Sequence, residues 1–140
     1  LASGRNKELM QRVDLPDGAV RILKGKAIAH LGIVRANGEP HVSPIWIDLD
    51  DEGLVVFNTA EGRVKANVLR EGVKVAISAP DPDNPYSYTI ISGTVVKRTT
   101  EDGIEVIDQL SQKYTSRDFT MPEDQVRVTV RVRPDEVIFH

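Results

Sequence analysis

The 140 residues include no cysteine, which excludes disulfides, thiolate metal sites and cysteine nucleophiles, and fits a reducing cytoplasm. No apolar run approaches the length needed to cross a bilayer, so no membrane association is expected. An excess of basic residues is missing too. Lys and Arg number 18 against 21 Asp and Glu, for a net charge of −3 and a pI near 5.6. No overall basic surface is available to displace counterions from a nucleic-acid backbone, so any phosphate recognised is a local one. The three histidines, His30, His41 and His140, lack metal-ligand spacing, and no metal site is expected. The N-terminus shows neither an initiator Met nor the apolar core of a signal peptide, so export is not expected. What is present, 40% hydrophobic and 28% charged residues, suits one globular domain over residues 1–140, with 1–16 as an extended polar leader.

The pattern along the chain is mostly β. Asp17 to Lys24 carries Val20 and Leu23 on one face and reads as a short opening helix, with Asp17 as its N-cap. Ala27 to Arg35 turns β-like, and Asn37-Gly38 is a two-residue hairpin signal leading into a strand over Glu39 to Leu49. Asp50 to Gly53 makes a second turn into the apolar strand Leu54 to Phe57, and Val73 to Ala79 supplies a fourth strand. Pro80, Pro82 and Pro85 with intervening Asp and Asn predict a long loop. Tyr86 to Arg98 reads as a long curved strand, with Gly93 as a bulge. Thr100 is placed to cap a helix whose stripe is Ile104, Ile107, Leu110 and Tyr114. Val126 to Val132 alternates as a strand, and Glu136 to Phe139 is a further extended piece. Six strands joined largely by hairpin turns, with three short helices, predict an antiparallel barrel flanked by helices. So small a barrel fills its interior with side chains, which leaves a cofactor to an outer groove, most naturally at a subunit interface.

Chemistry concentrates in Asn58-Thr59-Ala60-Glu61-Gly62-Arg63-Val64-Lys65-Ala66-Asn67-Val68-Leu69. A strand end feeds a short polar turn and then a helix, with Val64, Val68 and Leu69 on its inner face. The free N–H groups of a helix start attract an anion, and Arg63 and Lys65 add charge-assisted hydrogen bonds to phosphate oxygens. The competing reading is a solvated helix whose Glu61 and Lys65 pair with each other.

With these residues in order, the chain resembles the pyridoxamine 5′-phosphate oxidase-like split β-barrel flavoproteins, especially their deazaflavin-dependent branch. The resemblance spans nearly the whole chain and rests on Gly38 to Trp46, on Val56 to Ala60 with Arg63 to Leu69, and on Tyr86-Ser87-Tyr88 through Gly93-Thr94-Val95. It implies a six-stranded split barrel that forms a homodimer with two cofactor sites at the interface. Arg63 and Lys65 would carry the cofactor phosphate, with Asn58, Thr59 and Asn67 beside them. Ser43, Pro44, Ile45 and Trp46 would pack against the tricyclic ring, although core packing or a dimer contact is an open alternative for Trp46. Tyr88 would touch the cofactor, and Tyr86 the substrate pocket, at the rim of the partner's site. The chain is shorter than the vitamin-processing oxidases and lacks their C-terminal substrate-phosphate motif, which points away from pyridoxamine phosphate oxidation.

The expected function is an oxidoreductase that uses coenzyme F-420 to pass a hydride to a conjugated small-molecule acceptor, with FMN as the alternative cofactor. A non-catalytic flavin or deazaflavin carrier, or a plain dimeric structural domain, are the rival classes. No catalytic acid or base is assigned.

Overall fold

The computed structural model describes residues 13–140. The expected leader over 1–16 therefore lies largely outside the described residues. Its last part is irregular, with the Val13 N–H bonded to the Pro134 carbonyl at 3.3 Å. In chain order the elements are α1 (Asp17–Lys24), β1 (Ala29–Val34), β2 (Pro40–Ile45), β3 (Asp48–Leu49) and β4 (Val55–Ala60). They continue as α2 (Val64–Val68), β5 (Lys74–Asp81), β6 (Asn84–Thr99), α3 (Gly103–Thr115) and β7 (Arg127–Phe139).

All strand pairs are antiparallel, in one sheet ordered β2-β1-β5-β6-β7-β4-β3. The sheet has seven strands where six were expected, because the run read as one strand over 39–49 breaks at Trp46 and Ile47. That break makes the barrel. β2 and β3 form opposite edges of the sheet, and if it were flat those edges would lie roughly 29 Å apart at about 4.8 Å per strand. The three steps from Ile45 to Asp48 span at most about 11 Å. The sheet must curl until its edges nearly meet, and the fold is a split β-barrel.

Its interior is filled by alternate residues of each strand, among them Leu31, Phe57, Ile77, Ile91 and Val130, all essentially without solvent exposure. The opposite face of β4 instead meets α3, where Val56 packs with Val106 and Leu110. The α3 helix differs from expectation: Thr100 does not cap it, since it begins at Gly103 with Asp102 as N-cap and no side-chain cap bond, and on its stripe Ile104 is 63% exposed while Val106 takes the inner position. At the other end α1 matches its predicted bounds, but Asp17 is its first residue and Pro16 the N-cap.

Three turn readings are corrected. The β1–β2 connection is a three-residue loop: the Gly38 N–H returns to the Arg35 carbonyl at 2.8 Å, and Arg35 N–H bonds the Glu39 carbonyl at 2.8 Å. Gly38 takes φ +87°, the left-handed position that follows a type I turn in such hairpins. The proline-rich stretch is a tight hairpin rather than a long loop. Asp81 pairs with Asn84, Pro80 pairs with Tyr88, and the intervening Pro85, Tyr86 and Ser87 bulge out of register. Asp81 Oδ1 accepts from the Asp83 N–H at 2.9 Å, an Asx turn that closes the bend without a proline donor. Finally, the two extended stretches expected over 126–132 and 136–139 are one strand, β7, which begins at Arg127. Pro134 is tolerated within β7 because it lies at the register shift opposite Gly93, where a Cβ would overlap Val132 and approach the Arg133 carbonyl to 2.7 Å.

Candidate functional site

β4 extends through Asn58, Thr59 and Ala60, so the polar turn is only Glu61-Gly62-Arg63. Its Glu61 N–H is held by the Val126 carbonyl at 2.9 Å, and Gly62 takes φ +87°. The single-turn α2 follows, with Arg63 as N-cap. A helix of one turn sums few peptide dipoles, so the charge of the site comes from side chains. Glu61 does not pair with Lys65. Its carboxylate is bound by Arg98, which leaves Lys65 without a carboxylate partner among the described residues.

Beside this turn opens a cleft of about 310 Å³. One side is cationic, formed by Arg63, Lys65 and Arg127, with Asn58 of β4 beside them. The other is apolar: Ile28, Pro44, Ile45 and Trp46 come from the β1–β2 side, and Ile107, Leu110 and Phe119 from α3 and the loop after it. No Asp, Glu or His lines it among the described residues.

Arg127 was not singled out from sequence. It opens β7 directly opposite Ala60, which brings a residue distant in the chain to the end of the strand that carries the turn. Though buried, it lacks an ion-pair partner among the described residues. Its Nε donates to Asn58 Oδ1 at 2.8 Å, one Nη donates to Gln125 Oε1 at 2.9 Å, and its guanidinium lies 5.1 Å from the centre of the Phe119 ring. Burial, and secondarily Arg63, pull its pKa down to about 10. Burial likewise lowers the pKa of Lys65, followed by repulsion from Arg63 and Arg127. Three mutually repelling cations with no carboxylate among them form a place where an anion is stabilised.

That repulsion gives a pH signature. A lysine whose folded pKa lies below its unfolded value binds fewer protons in the folded state, so stability of the ligand-free protein rises with pH across that window. A bound anion favours the charged lysine, so binding takes up protons, and anion affinity falls as pH rises through the lowered Lys65 pKa. Titrations across pH are expected to show this slope. Lys65→Arg is expected to flatten it, because a guanidinium is far harder to deprotonate than an ammonium.

Trp46 is half-buried; it lines the cleft and also packs against α3. It stacks on Tyr114 with ring centres 5.4 Å apart and planes 8° from parallel. The Tyr114 hydroxyl donates to the Ala27 carbonyl at 2.5 Å and accepts from the Ile47 N–H at 3.1 Å, while Lys113 Nζ donates to the Ile47 and Leu23 carbonyls at 2.6 and 2.8 Å. The last turn of α3 thus pins the crossing between the two sheet edges and fixes Trp46. Ile45 belongs to the barrel core and is 6% exposed while also reaching the cleft. Ile45→Val is expected to cost about 0.5–1.5 kcal/mol in urea denaturation.

Of the residues singled out from sequence, the cleft gathers Pro44, Ile45, Trp46, Asn58, Arg63 and Lys65. The others lie off its walls. The hydroxyls of Ser43 and Thr59 are buried without hydrogen-bond partners, and Asn67 is exposed on α2. Tyr86 is 84% exposed on the bulge of the β5–β6 hairpin, and Tyr88 stacks on His140 at 5.4 Å. No cluster of residues able to hold a metal occurs among the described residues.

A split barrel with an outer cleft, cationic at one end and apolar at the other, defines a class of cofactor-binding β-barrel. Residues 15–140 match the family model for pyridoxamine 5′-phosphate oxidase, and the chain belongs to that family of flavin-binding, oxidoreductase-type split barrels. An F420 reductase of known structure is 29% identical, with a TM-score of 0.76 over 89% of this chain and 98% of that one. HupZ of Group A Streptococcus (19% identity, TM-score 0.65, covering 90% and 94%) shares the fold, as does General Stress Protein 26 of Bacillus anthracis (17%, 0.66, covering 88% and 91%). No curated protein sequence matches the chain. No helix among the described residues is long and apolar enough to cross a membrane.

Proposed function

We propose that this protein is a coenzyme F-420-dependent oxidoreductase acting on a conjugated small-molecule acceptor. The observation that carries the reading is the cleft itself, where three cations without a counter-carboxylate face an apolar wall containing the chain's single tryptophan. Those residues fit a cofactor with a phosphate at one end and a flat ring at the other. The likeness to an F420 reductase supports deazaflavin as that cofactor.

When bound, the reduced deazaflavin supplies a hydride from C-5 of its ring. Arg63, Lys65 and Arg127 hold the anionic tail by charge-assisted hydrogen bonds. Pro44, Ile45 and Trp46 orient the ring, Ser43 contributes main-chain groups on the same strand, and the apolar wall excludes water from the transfer geometry. No carboxyl or imidazole lines the cleft among the described residues, so its residues bind and orient, and the acceptor's proton comes from solvent at the cleft mouth or from a basic side chain such as Lys65. The protein works as a cytoplasmic homodimer in which Tyr86 and Tyr88 of one subunit border the partner's cleft.

FMN is the second reading, because its phosphate monoester dianion also matches the three positive side chains of the cleft. Spectroscopic titration of the purified protein with oxidised and reduced F-420 and with FMN decides between them. Saturable F-420 binding with acceptor-dependent oxidation of the reduced form is expected. Preferential FMN binding would replace the first reading by the second, and cofactor binding by a monodisperse monomer in sedimentation would remove the interface.

A further inference from the structure

Glu61 is the one carboxylate in the segment Asn58 to Leu69, and it stands two residues before Arg63 and four before Lys65. Free on its flexible stem, it would neutralise the cations of the cleft. Arg98, reaching across from β6, prevents this: one Nη donates both to Glu61 Oε1 and to the Ala66 carbonyl of α2, the latter at 3.2 Å. The Arg98 side chain is largely buried, and its Nε has no hydrogen-bond partner. Neither Arg98 nor Glu61 lines the cleft.

We propose that Arg98 is a positioning residue for the anion site, which binds the Glu61 carboxylate away from Arg63 and Lys65 and so keeps the cleft positive. The charge of the guanidinium matters here more than its bulk. A single carboxylate released beside the cations would offset one of the three positive charges that a phosphate meets. The inference rests only on the anion-binding half of the proposed function and is indifferent to which ring the cleft holds.

The test compares Arg98→Met, Glu61→Gln and the double variant for binding of FMN and of inorganic phosphate, with thermal melting as the folding control. R98M is expected to weaken both by about tenfold, E61Q to leave them nearly unchanged, and R98M/E61Q to regain most of the loss, a coupling typical of paired side chains. Rescue is the decisive readout, because removing the carboxylate cannot repair a backbone that Arg98 merely braces. A double variant as weak as R98M would overturn the proposal, as would R98M binding as tightly as the wild type. Should R98M not fold, Arg98→Gln keeps a donor for the Ala66 carbonyl and makes the same comparison. A wild-type protein that binds phosphate but no flavin-type cofactor would sink the cofactor reading and leave this comparison intact. Binding of neither would overturn both.

Discussion

Replacing Arg63 and Lys65 together by alanine is expected to lower affinity for the phosphate-bearing cofactor by about two to four orders of magnitude. Each charge-assisted bond is worth roughly 1.5–3 kcal/mol, and every 1.4 kcal/mol or so is a factor of ten. The fold has little reason to suffer, because Arg63 is exposed, Lys65 is half-buried, and neither forms an ion pair among the described residues. Removing two cations in fact relieves the repulsion that lowers the Arg127 pKa, in part through Arg63. The ligand-free double variant should therefore melt no lower than the wild type. Titration with FMN, F-420 and riboflavin separates the two ends of the cleft. Binding of riboflavin, which has the ring without the phosphate, should be unaffected. Unchanged affinity for the phosphorylated ligands would place the anion elsewhere.

Local pattern carried the sheet and the turn, and failed where long-range register decided the outcome. The strand–turn–helix around Arg63 was legible from the polar turn at Gly62, but its inner face was not. Val64 is 38% exposed, Ala66 is the buried residue, and Leu69 is buried just past the helix end, because a single turn is too short for a stripe to form. Arg127 was not legible, although alternation in Val126–Val132 puts it on one face with Thr129 and Arg131. Only the β4–β7 register sets it opposite Ala60, and no single-sequence spacing encodes that pairing. The break at Trp46 and Ile47 was missed for a similar reason. Its cause is the need to cross from one sheet edge to the other, held by Tyr114 and Lys113 from a helix far along the chain. At the proline-rich hairpin the local rules pointed the wrong way. Pro80 loses a donor but still occupies a strand position opposite Tyr88, where the pairing goes out of register. Glu61 shows how a plausible neighbour pair yields to a distant one, since Arg98 outcompetes Lys65 for its carboxylate.

Asn58→Ala is expected to separate structural from ligand-binding work in the cleft. Both ends of this buried amide are engaged inside the protein: Nδ2 donates to the Gly103 carbonyl at 2.9 Å and to Thr129 Oγ1 at 3.3 Å, and Oδ1 accepts from Arg127 Nε at 2.8 Å. Asn58 is thus the joint between β4, the start of α3 and Arg127. Truncation leaves the Gly103 carbonyl and the Arg127 Nε buried without those partners, at about 1–3 kcal/mol for each. A loss of about 2–6 kcal/mol in urea denaturation follows, large against the total stability of a single domain. Anion affinity should fall as well, because Arg127 is no longer aimed. If Asn58 acts through Arg127, the affinity losses of Asn58→Ala and Arg127→Met are not additive in the double variant. If it touches the ligand independently, as the family resemblance implies, they add. A variant as stable as the wild type would show that the amide is not the joint its hydrogen bonds describe.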